Sequence, residues 1–479
     1  MSRYAQRAAW GLTFVMLLSA CVTRIVRSDE PAVKTEVADD DYALMQLFVD
    51  TFEEIDRNYV KEVDRRHLIE AAVRGMLSEL DPYSNYIGPE DLSEFNEDVE
   101  QEFGGIGIQV QYKPETHQLV VMTPLPGSPA FKAGVLAGDT IVEIEGQTVS
   151  EFPQNKELQT AVGMLKGKPG VEVTIGVVHL NSMDIERIKI VREIIQLQTV
   201  LGDRVQEDGS WNYLLNGESK IAYIRLSHFS RRTGEELRTA LRTLKEQGMQ
   251  GLVLDLRFNP GGLLTAAVEV TDMFVEEGKI VSTEGRNSPG RTWSAKRFGT
   301  YSGFPMAVLV NRFSASASEI VSAALQDHQR AVVVGERTWG KGSVQNVIEI
   351  GEGESALKLT TASYHRPSGK NIHRFPDSKE EDEWGVMPDD GYEVKFTNEQ
   401  LLGLTRSQRA REVVSTANAE EAQFEDAQLS KALEYVQAQL KPAEAPPEKS
   451  EDQPPAEPKA KDAAATGPPR VPLAPSAAA

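Results

Sequence analysis

Residues 252–274 have the sequence LVLDLRFNPGGLLTAAVEVTDMF, and their pattern indicates the class of fold. The stretch begins with Leu252–Leu256, a run that is apolar except for Asp255 and that has the length and composition of a buried β-strand. A glycine turn follows at 259–262, and apolar residues then recur at helical spacing from Leu263 to Phe274. A buried strand that leads through a turn into a helix indicates an α/β fold.

The same alternation of strand and helix continues downstream of this stretch. Ala307–Val310 predicts another strand, Glu319–His328 predicts a helix, and Ala331–Val334 predicts a further strand. We therefore expect a multidomain α/β protein whose core occupies residues 183–405.

The segments on either side of this core have different patterns. Residues 42–98 carry apolar side chains at helical spacing and predict an N-terminal helical region. Residues 99–182 show short alternating strands between glycine turns, which predicts a β-rich domain with helices. Residues 406–440 predict C-terminal helices, and the Pro- and Ala-rich residues 441–479 have the composition of a disordered tail.

The first residues have the pattern of an export signal. Arg3 and Arg7 precede the apolar run Ala8–Leu18, which is shorter than the roughly 20 residues of a membrane span. We predict a signal peptide over 1–21 and a linker over 22–41. The end of the run, Leu-Ser-Ala-Cys at 18–21, resembles a bacterial lipobox. This resemblance implies lipidation of Cys21 and a membrane-anchored protein on the periplasmic side. An ordinary signal peptide and an uncleaved anchor, with Cys21 incidental, are the alternatives.

Composition excludes several classes of function. The formal net charge is −21 and no segment forms a basic stripe, which argues against nucleic acid as the main partner. Cys21 is the only cysteine, so an intrachain disulfide and a catalytic thiol elsewhere are excluded. The few histidines and the pair Asp389 and Asp390 lack the spacing of metal ligands, so we predict neither a metal site nor a cofactor.

Residues 103–179 contain four motifs: FGGIGI at 103–108, SPAFKAG at 128–134, GDTI at 138–141 and IEG at 144–146. Together they resemble a PDZ domain of the kind found in exported bacterial proteases. Glycines at 104, 105 and 107 let successive backbone N–H groups converge on a carboxylate, and an exposed strand over 106–110 can pair with an extended peptide.

The ligand expected at this domain is a protein C-terminus with apolar last residues. The predicted peptide-binding residues are Gly105, Ile106, Gly107 and Ile108. The alternative is that these glycines only turn a hairpin in a structural domain.

Two segments of the core, NRFSASASEI at 311–320 and GKGSVQ at 340–345, hold the candidate catalytic residues. With the preceding domains they resemble the carboxy-terminal processing, or tail-specific, protease family from residue 42 to about residue 400. The resemblance implies a crotonase-like α/β protease core. It also implies that Ser316 is the nucleophile, Lys341 the general base, and Gln345 the residue that orients the lysine.

The chemistry of these residue types is consistent with that assignment. A serine hydroxyl needs a neighbouring base to become a good nucleophile, and the seven histidines are scattered along the chain. A lysine can serve as the base if its pKa, ordinarily about 10.4, falls by roughly 3 units. Burial among apolar neighbours disfavours the ammonium form and can supply such a shift. A helical turn at 341–345 would bring Gln345 to the lysine, although the neighbouring glycines argue against a helix there.

Backbone amides at two turns are the candidate oxyanion donors. Ser316 lies where a strand gives way to a helix, so the free amide of Ala317 can stabilise an oxyanion. The second donor is expected from the turn 259–262, because turns at the carboxyl ends of parallel strands meet in one crevice. We select Gly262 for this role, with Gly261 as the alternative.

Simpler interpretations exist for each of these residues. Ser316 and Glu319 have the spacing of a helix capping box, Ser314 and Ser318 are competing nucleophiles, and Lys341 could be a surface lysine. At the level of the whole protein, a catalytically silent scaffold and a crotonase-type acyl-CoA enzyme are the alternatives. The predicted function is a serine endopeptidase that captures protein or peptide substrates by their C-termini, with an adaptor protein and homo-oligomer formation left open.

Overall fold

The computed structural model describes residues 39–180, 182–206, 208–215, 220–413 and 423–440. The chain divides into two compact units, one formed by Met1–Pro89 with Val347–Leu359 and the other by Glu90–Asn346 with Thr360–Ala479. The predictions for the signal at 1–21, for Cys21 and for the tail at 441–479 lie outside the described residues. In the described part of the chain, no helix is long and apolar enough to cross a membrane.

The first unit contains the predicted N-terminal helices. Its elements are α1 (Asp39–Asn58), α2 (Arg65–Ser78) and β1 (Asn85–Ile87). The Asp64 side chain caps α2 by accepting from the His67 backbone N–H. β1 pairs antiparallel with residues Ala356–Lys358 of the same unit.

The second unit begins with the β-rich domain. Its elements are α3 (Leu92–Glu100), β2 (Glu102–Gly105), β3 (Ile108–Lys113), β4 (Gln118–Pro124), α4 (Pro129–Lys132), β5 (Thr140–Ile144), β6 (Gln147–Thr148), α5 (Glu157–Leu165), β7 (Glu172–Val178), β8 (Ile185–Val191) and β9 (Glu193–Gln196). Strands β3 to β8 form a six-stranded antiparallel sheet in which β3 is an edge strand. The sheet continues beyond residue 182, where the sequence analysis ended the domain, because β8 pairs with β7 along its whole length.

The remaining elements of the second unit form the α/β core. They are β10 (Val200–Leu201), β11 (Arg204–Val205), β12 (Trp211–Asn212), β13 (Ile221–Leu226), α6 (Thr233–Glu246), β14 (Gly251–Asp255), α7 (Leu264–Asp272), β15 (Gly278–Glu284), β16 (Arg291–Ala295), β17 (Met306–Val310), α8 (Ala317–Asp327), β18 (Val332–Gly335), β19 (Ser343–Ile350), β20 (Ser355–His365), α9 (Asn398–Arg411) and α10 (Ala427–Leu440). Strands β19 and β20 each have part of their length in the first unit.

A parallel sheet lies at the centre of the core. The strand order is β10-β13-β14-β17-β18, and the last four strands run parallel. One face packs against α6, α7 and α8, and the other face packs against α10. Because both faces are covered, β14 and β17 are buried at every residue, which explains why both are apolar in the sequence apart from Asp255 at the end of β14. The predicted α/β fold with N-terminal helices and a β-rich domain is confirmed.

Candidate active site

Ser316 lies between β17 and α8, at the first turn of the helix. Its backbone has φ 56° and ψ −110°, a conformation that residues other than glycine rarely adopt. The strained backbone is held by the Glu319 carboxylate, whose Oε2 accepts from the Ser316 N–H at 2.7 Å. Ser316 is therefore fixed by a neighbouring side chain in a conformation that its own sequence does not favour.

The two neighbouring serines are occupied by buried hydrogen bonds. Ser314 Oγ donates to the Leu256 carbonyl at 2.8 Å, and Ser318 Oγ donates to the Asn259 carbonyl at 3.0 Å. Both side chains are fully buried. These hydroxyls tie the serine segment to the residues after β14, a structural role that distinguishes them from Ser316.

The turn 259–262 lies directly against Ser316. A β-carbon on Gly261 would be 2.8 Å from Ser316 Cβ and 3.0 Å from the Ala317 nitrogen, so a larger residue does not fit without movement. The Gly261 N–H donates to Asn259 Oδ1 at 2.8 Å. Because that amide is engaged, Gly262, which is exposed, is the better candidate of the two glycines for an oxyanion donor.

Lys341 lies in the loop between β18 and β19, and this loop also bonds to Glu319. Oε1 of Glu319 accepts from Thr338 Oγ1 and from the Gly340 N–H, each at 2.6 Å, and Oε2 accepts from the Lys341 N–H at 2.8 Å. The same Oε2 atom accepts from Ser316 N–H, so the backbones of the two candidate catalytic residues meet at one oxygen.

Glu319 connects the two candidate catalytic segments, which the sequence analysis missed because its spacing from Ser316 already had an explanation as a helix cap. The signal in the sequence was a carboxylate among the small and apolar residues 317–325, and in the structure all of these residues are buried. Burial raises the pKa of Glu319, and the hydrogen bonds from Thr338 and the three backbone amides oppose that rise only in part. All four partners donate, so the ionised carboxylate is the form that fits this geometry.

Gln345 lies on a strand, and the helical turn considered at 341–345 is absent. Its amide nitrogen donates to Ser343 Oγ at 2.8 Å and to Thr360 Oγ1 at 3.3 Å. The chain before this strand passes close to other residues: Gly340 packs against Arg374 Cβ and the Trp384 ring, and Gly342 packs against the backbone of residues 372–373. A β-carbon at either glycine would collide there. Hydrogen bonds from the Arg374 N–H to the Gly340 carbonyl and from the Tyr364 N–H to the Gly342 carbonyl hold this shape.

The predicted peptide-binding residues, 105–108, run from the end of β2 to the first residue of the edge strand β3. Gly104 and Gly105 belong to β2 and pair with β9. Residues 104, 105 and 107 therefore do not form the single turn in which their N–H groups were expected to converge. The bend is confined to Ile106 and Gly107, and Gly107 has φ 74°. The Gly107 carbonyl accepts from Ser128 Oγ at 2.9 Å, which ties this bend to the start of α4.

Within the described ranges, no group of three or more His, Cys, Asp or Glu side chains is arranged to hold a metal ion.

Comparison with known proteins gives matches in each part of the chain. Residues 220–389 match peptidase family S41, residues 120–179 match a PDZ domain, and residues 10–91 match the N-terminal domain of the activating protease CtpB. A carboxy-terminal-processing protease of Bartonella bacilliformis is 36% identical over 438 residues, which are 87% of this chain and 94% of that protein.

Two further matches have related descriptions. A carboxyl-terminal-processing protease of Synechocystis sp. is 36% identical over 69% of this chain and 73% of its own length. Among solved structures, the photosystem II D1 C-terminal processing protease is 30% identical, with a TM-score of 0.41, over 73% of this chain and 92% of that one.

Proposed function

The chain belongs to the carboxy-terminal-processing proteases of peptidase family S41, and from this premise we propose that Ser316 is its nucleophile and Lys341 its general base. The observation that supports the pair is the shared Glu319 oxygen, which accepts from the backbone N–H of both residues. One buried carboxylate therefore sets the spacing between nucleophile and base. Gln345, which lies on β19 after the loop that holds Lys341, is proposed to orient the lysine.

In the proposed reaction, Ser316 Oγ attacks the carbonyl carbon of the scissile peptide bond while its proton passes to the neutral amine of Lys341. The carbonyl oxygen becomes an oxyanion that accepts from the N–H groups of Ala317 and Gly262. Lys341 then gives its proton to the leaving amine as the carbon–nitrogen bond breaks, which leaves an acyl-enzyme. Water, deprotonated by Lys341, attacks the acyl carbon, and Ser316 leaves with a proton from the same lysine.

We propose that the PDZ domain selects substrates by their free C-termini. The support is that β3 is an edge strand, whose unpaired side can accept an extended peptide as an additional strand. The substrate class is therefore proteins or peptides with a free, apolar C-terminus, cut in the course of processing or degradation of exported proteins.

The catalytic proposal is tested with Ser316→Ala and Lys341→Arg, assayed on a peptide with a free apolar C-terminus. We expect both variants to lose cleavage, because alanine has no nucleophile and an arginine stays charged and cannot accept a proton. Ser302→Ala, at an exposed position of the same core, is the control and should retain activity. Undiminished hydrolysis by Ser316→Ala would contradict the assignment.

For localisation we propose an exported lipoprotein anchored through Cys21, on the basis of the sequence alone. In a bacterial host that processes lipoproteins, the natural chain should fractionate with membranes and Cys21→Ser should not. Equal membrane association of both would contradict lipid anchoring.

A further inference from the structure

A buried charged cluster connects the C-terminal segment with the strand that leads into the candidate oxyanion turn. Arg257 follows β14 and is 2% exposed. Its guanidinium donates to Asp255 at 2.6 Å and to Asp426 at 2.8 Å, both through Nη2. Asp426 immediately precedes α10 and lies 169 residues further along the chain. The region that matches the peptidase family ends at residue 389, so this contact comes from outside it.

Every nitrogen of the Arg257 guanidinium is engaged in this cluster. Nε donates to both oxygens of Asp255 at 3.0 Å, and Nη1 donates to Asp426 Oδ1 at 2.9 Å and to Gln428 Oε1 at 3.0 Å. Asp255 also accepts from the Tyr223 hydroxyl at 2.6 Å. A planar guanidinium held by two carboxylates on different segments has little freedom to rotate or shift.

The next residue after Arg257 is held by the same C-terminal segment. Phe258 packs with Phe396 and Phe424 in one apolar cluster, and its backbone has φ 61°. Its N–H donates to Asn311 Oδ1 at 3.1 Å. Two consecutive residues therefore fix the start of the turn: Arg257 through hydrogen bonds to carboxylates, and Phe258 through apolar packing.

The turn that follows, 259–262, contacts the segment that contains Ser316. The Asn259 carbonyl accepts from the Ala315 N–H at 3.1 Å and from Ser318 Oγ at 3.0 Å. Gly261 then lies against Ser316 Cβ and the Ala317 nitrogen. A displacement of Arg257 would thus move the candidate donor Gly262 relative to the amide of Ala317.

We propose that Asp426 is a positioning residue for the oxyanion turn: by holding Arg257, it sets where the Gly262 amide lies relative to Ser316. The inference rests on the proposed function, because it assumes that this turn stabilises the oxyanion. Asp426 touches neither substrate nor Ser316 and acts through Arg257. The C-terminal helix, in addition to covering the sheet, is then part of the machinery that shapes the active site.

The test is Asp426→Asn in the full chain, assayed on a peptide with a free apolar C-terminus well below the unfolding temperature of each variant. Asparagine has one acceptor oxygen where aspartate has two, so it loses one of the two hydrogen bonds to Arg257 and also loses the charge that strengthens them. We expect kcat to fall at least about tenfold with KM unchanged, the signature of an interaction made in the transition state. Glu434→Gln, an exposed carboxylate on the same helix, is the control and should keep both constants.

The outcomes separate this inference from the proposed function. If the natural chain cleaves the peptide, Ser316→Ala does not, and Asp426→Asn keeps its kcat while only its unfolding temperature falls, the positioning role is overturned and the serine assignment stands. If Ser316→Ala cleaves normally, the proposed function itself fails. Should Asp426→Asn not fold, Gln428→Met removes a single acceptor from Arg257. It should lower kcat about two- to threefold, and a natural kcat in that variant would overturn the positioning role.

Discussion

At the scale of single residues, Glu319 is the side chain on which the geometry of the site depends. It accepts four hydrogen bonds from two segments, Ser316 on one side and Thr338–Lys341 on the other. Glu319→Gln replaces one acceptor oxygen with an NH2 group that faces donors. We predict a loss of about 100-fold in kcat, because a displacement of about 1 Å between reacting groups has that effect. Steady-state kinetics and the rate of Ser316 labelling by a fluorophosphonate measure it.

The matched control for this prediction is Asp327→Asn, at the other end of the same helix. Asp327 accepts from Arg366 at 2.6 Å, so its replacement also removes a charged hydrogen bond from α8. We expect it to lower the free energy of unfolding and to leave kcat unchanged. Equal losses of kcat in the two variants would mean that Glu319 acts only through the stability of the helix.

At the scale of elements, the bend between β2 and β3 determines whether the edge strand can receive a peptide. A β-carbon on Gly107 would collide with Ser128 Cβ, whereas one on Gly127 would meet nothing within 4 Å, although the two glycines have φ 74° and 73°. Gly107→Ala should therefore shift the bend, and Gly127→Ala should add only backbone strain of about 1 kcal/mol.

We predict that Gly107→Ala weakens the binding of a peptide with a free C-terminus at least about tenfold. Fluorescence anisotropy measures this binding in proteins that also carry Ser316→Ala, so that the peptide is not cleaved. Gly127→Ala should bind like the parent. The same peptide with an amidated C-terminus should bind weakly to all of them, since the carboxylate is the recognised group. Tight binding of the amidated peptide would contradict recognition of the C-terminus.

At the scale of the whole molecule, a half-buried carboxylate, Asp327, makes stability depend on pH. Burial raises the pKa of Asp327, but the hydrogen bonds from Arg366 and Ser368 outweigh it and hold the pKa below its ordinary value. A depressed pKa in the folded protein means that this carboxylate stabilises the fold above its unfolded pKa, about 3.9, and that the contribution is lost as the pH falls through the lower, folded pKa.

We therefore predict that Asp327→Asn destabilises the protein at pH 7 and loses less stability than the natural protein when the pH falls below about 4. Urea denaturation between pH 3 and pH 7, followed by circular dichroism, measures both. Glu434→Gln, whose carboxylate is exposed, should follow the natural protein throughout. Parallel curves for the natural protein and Asp327→Asn would show that the Arg366 bond has no part in acid unfolding.

The class of fold follows from the sequence alone, because a parallel strand that is buried on both faces has an almost continuous run of apolar residues. Leu252–Leu256, apolar except for Asp255, and Ala307–Val310 are such runs, and each leads toward a helix. Ser316 and Lys341 were predicted as the catalytic pair from the resemblance of their motifs, taken in order, to a protease family. Neither residue was distinctive on its own local pattern.

The contacts that hold those residues depend on the three-dimensional fold. Glu319 contacts the Lys341 backbone 22 residues further along the chain, and Asp426 contacts Arg257 across 169 residues. Neither contact produces a periodic pattern in the sequence. Local patterns report the burial of one face of a helix or strand, and they report nothing about which distant backbone N–H group a carboxylate will meet. For the same reason Gln345, which spacing alone could place on a helical turn, lies on a strand shaped by the close packing of Gly340 and Gly342.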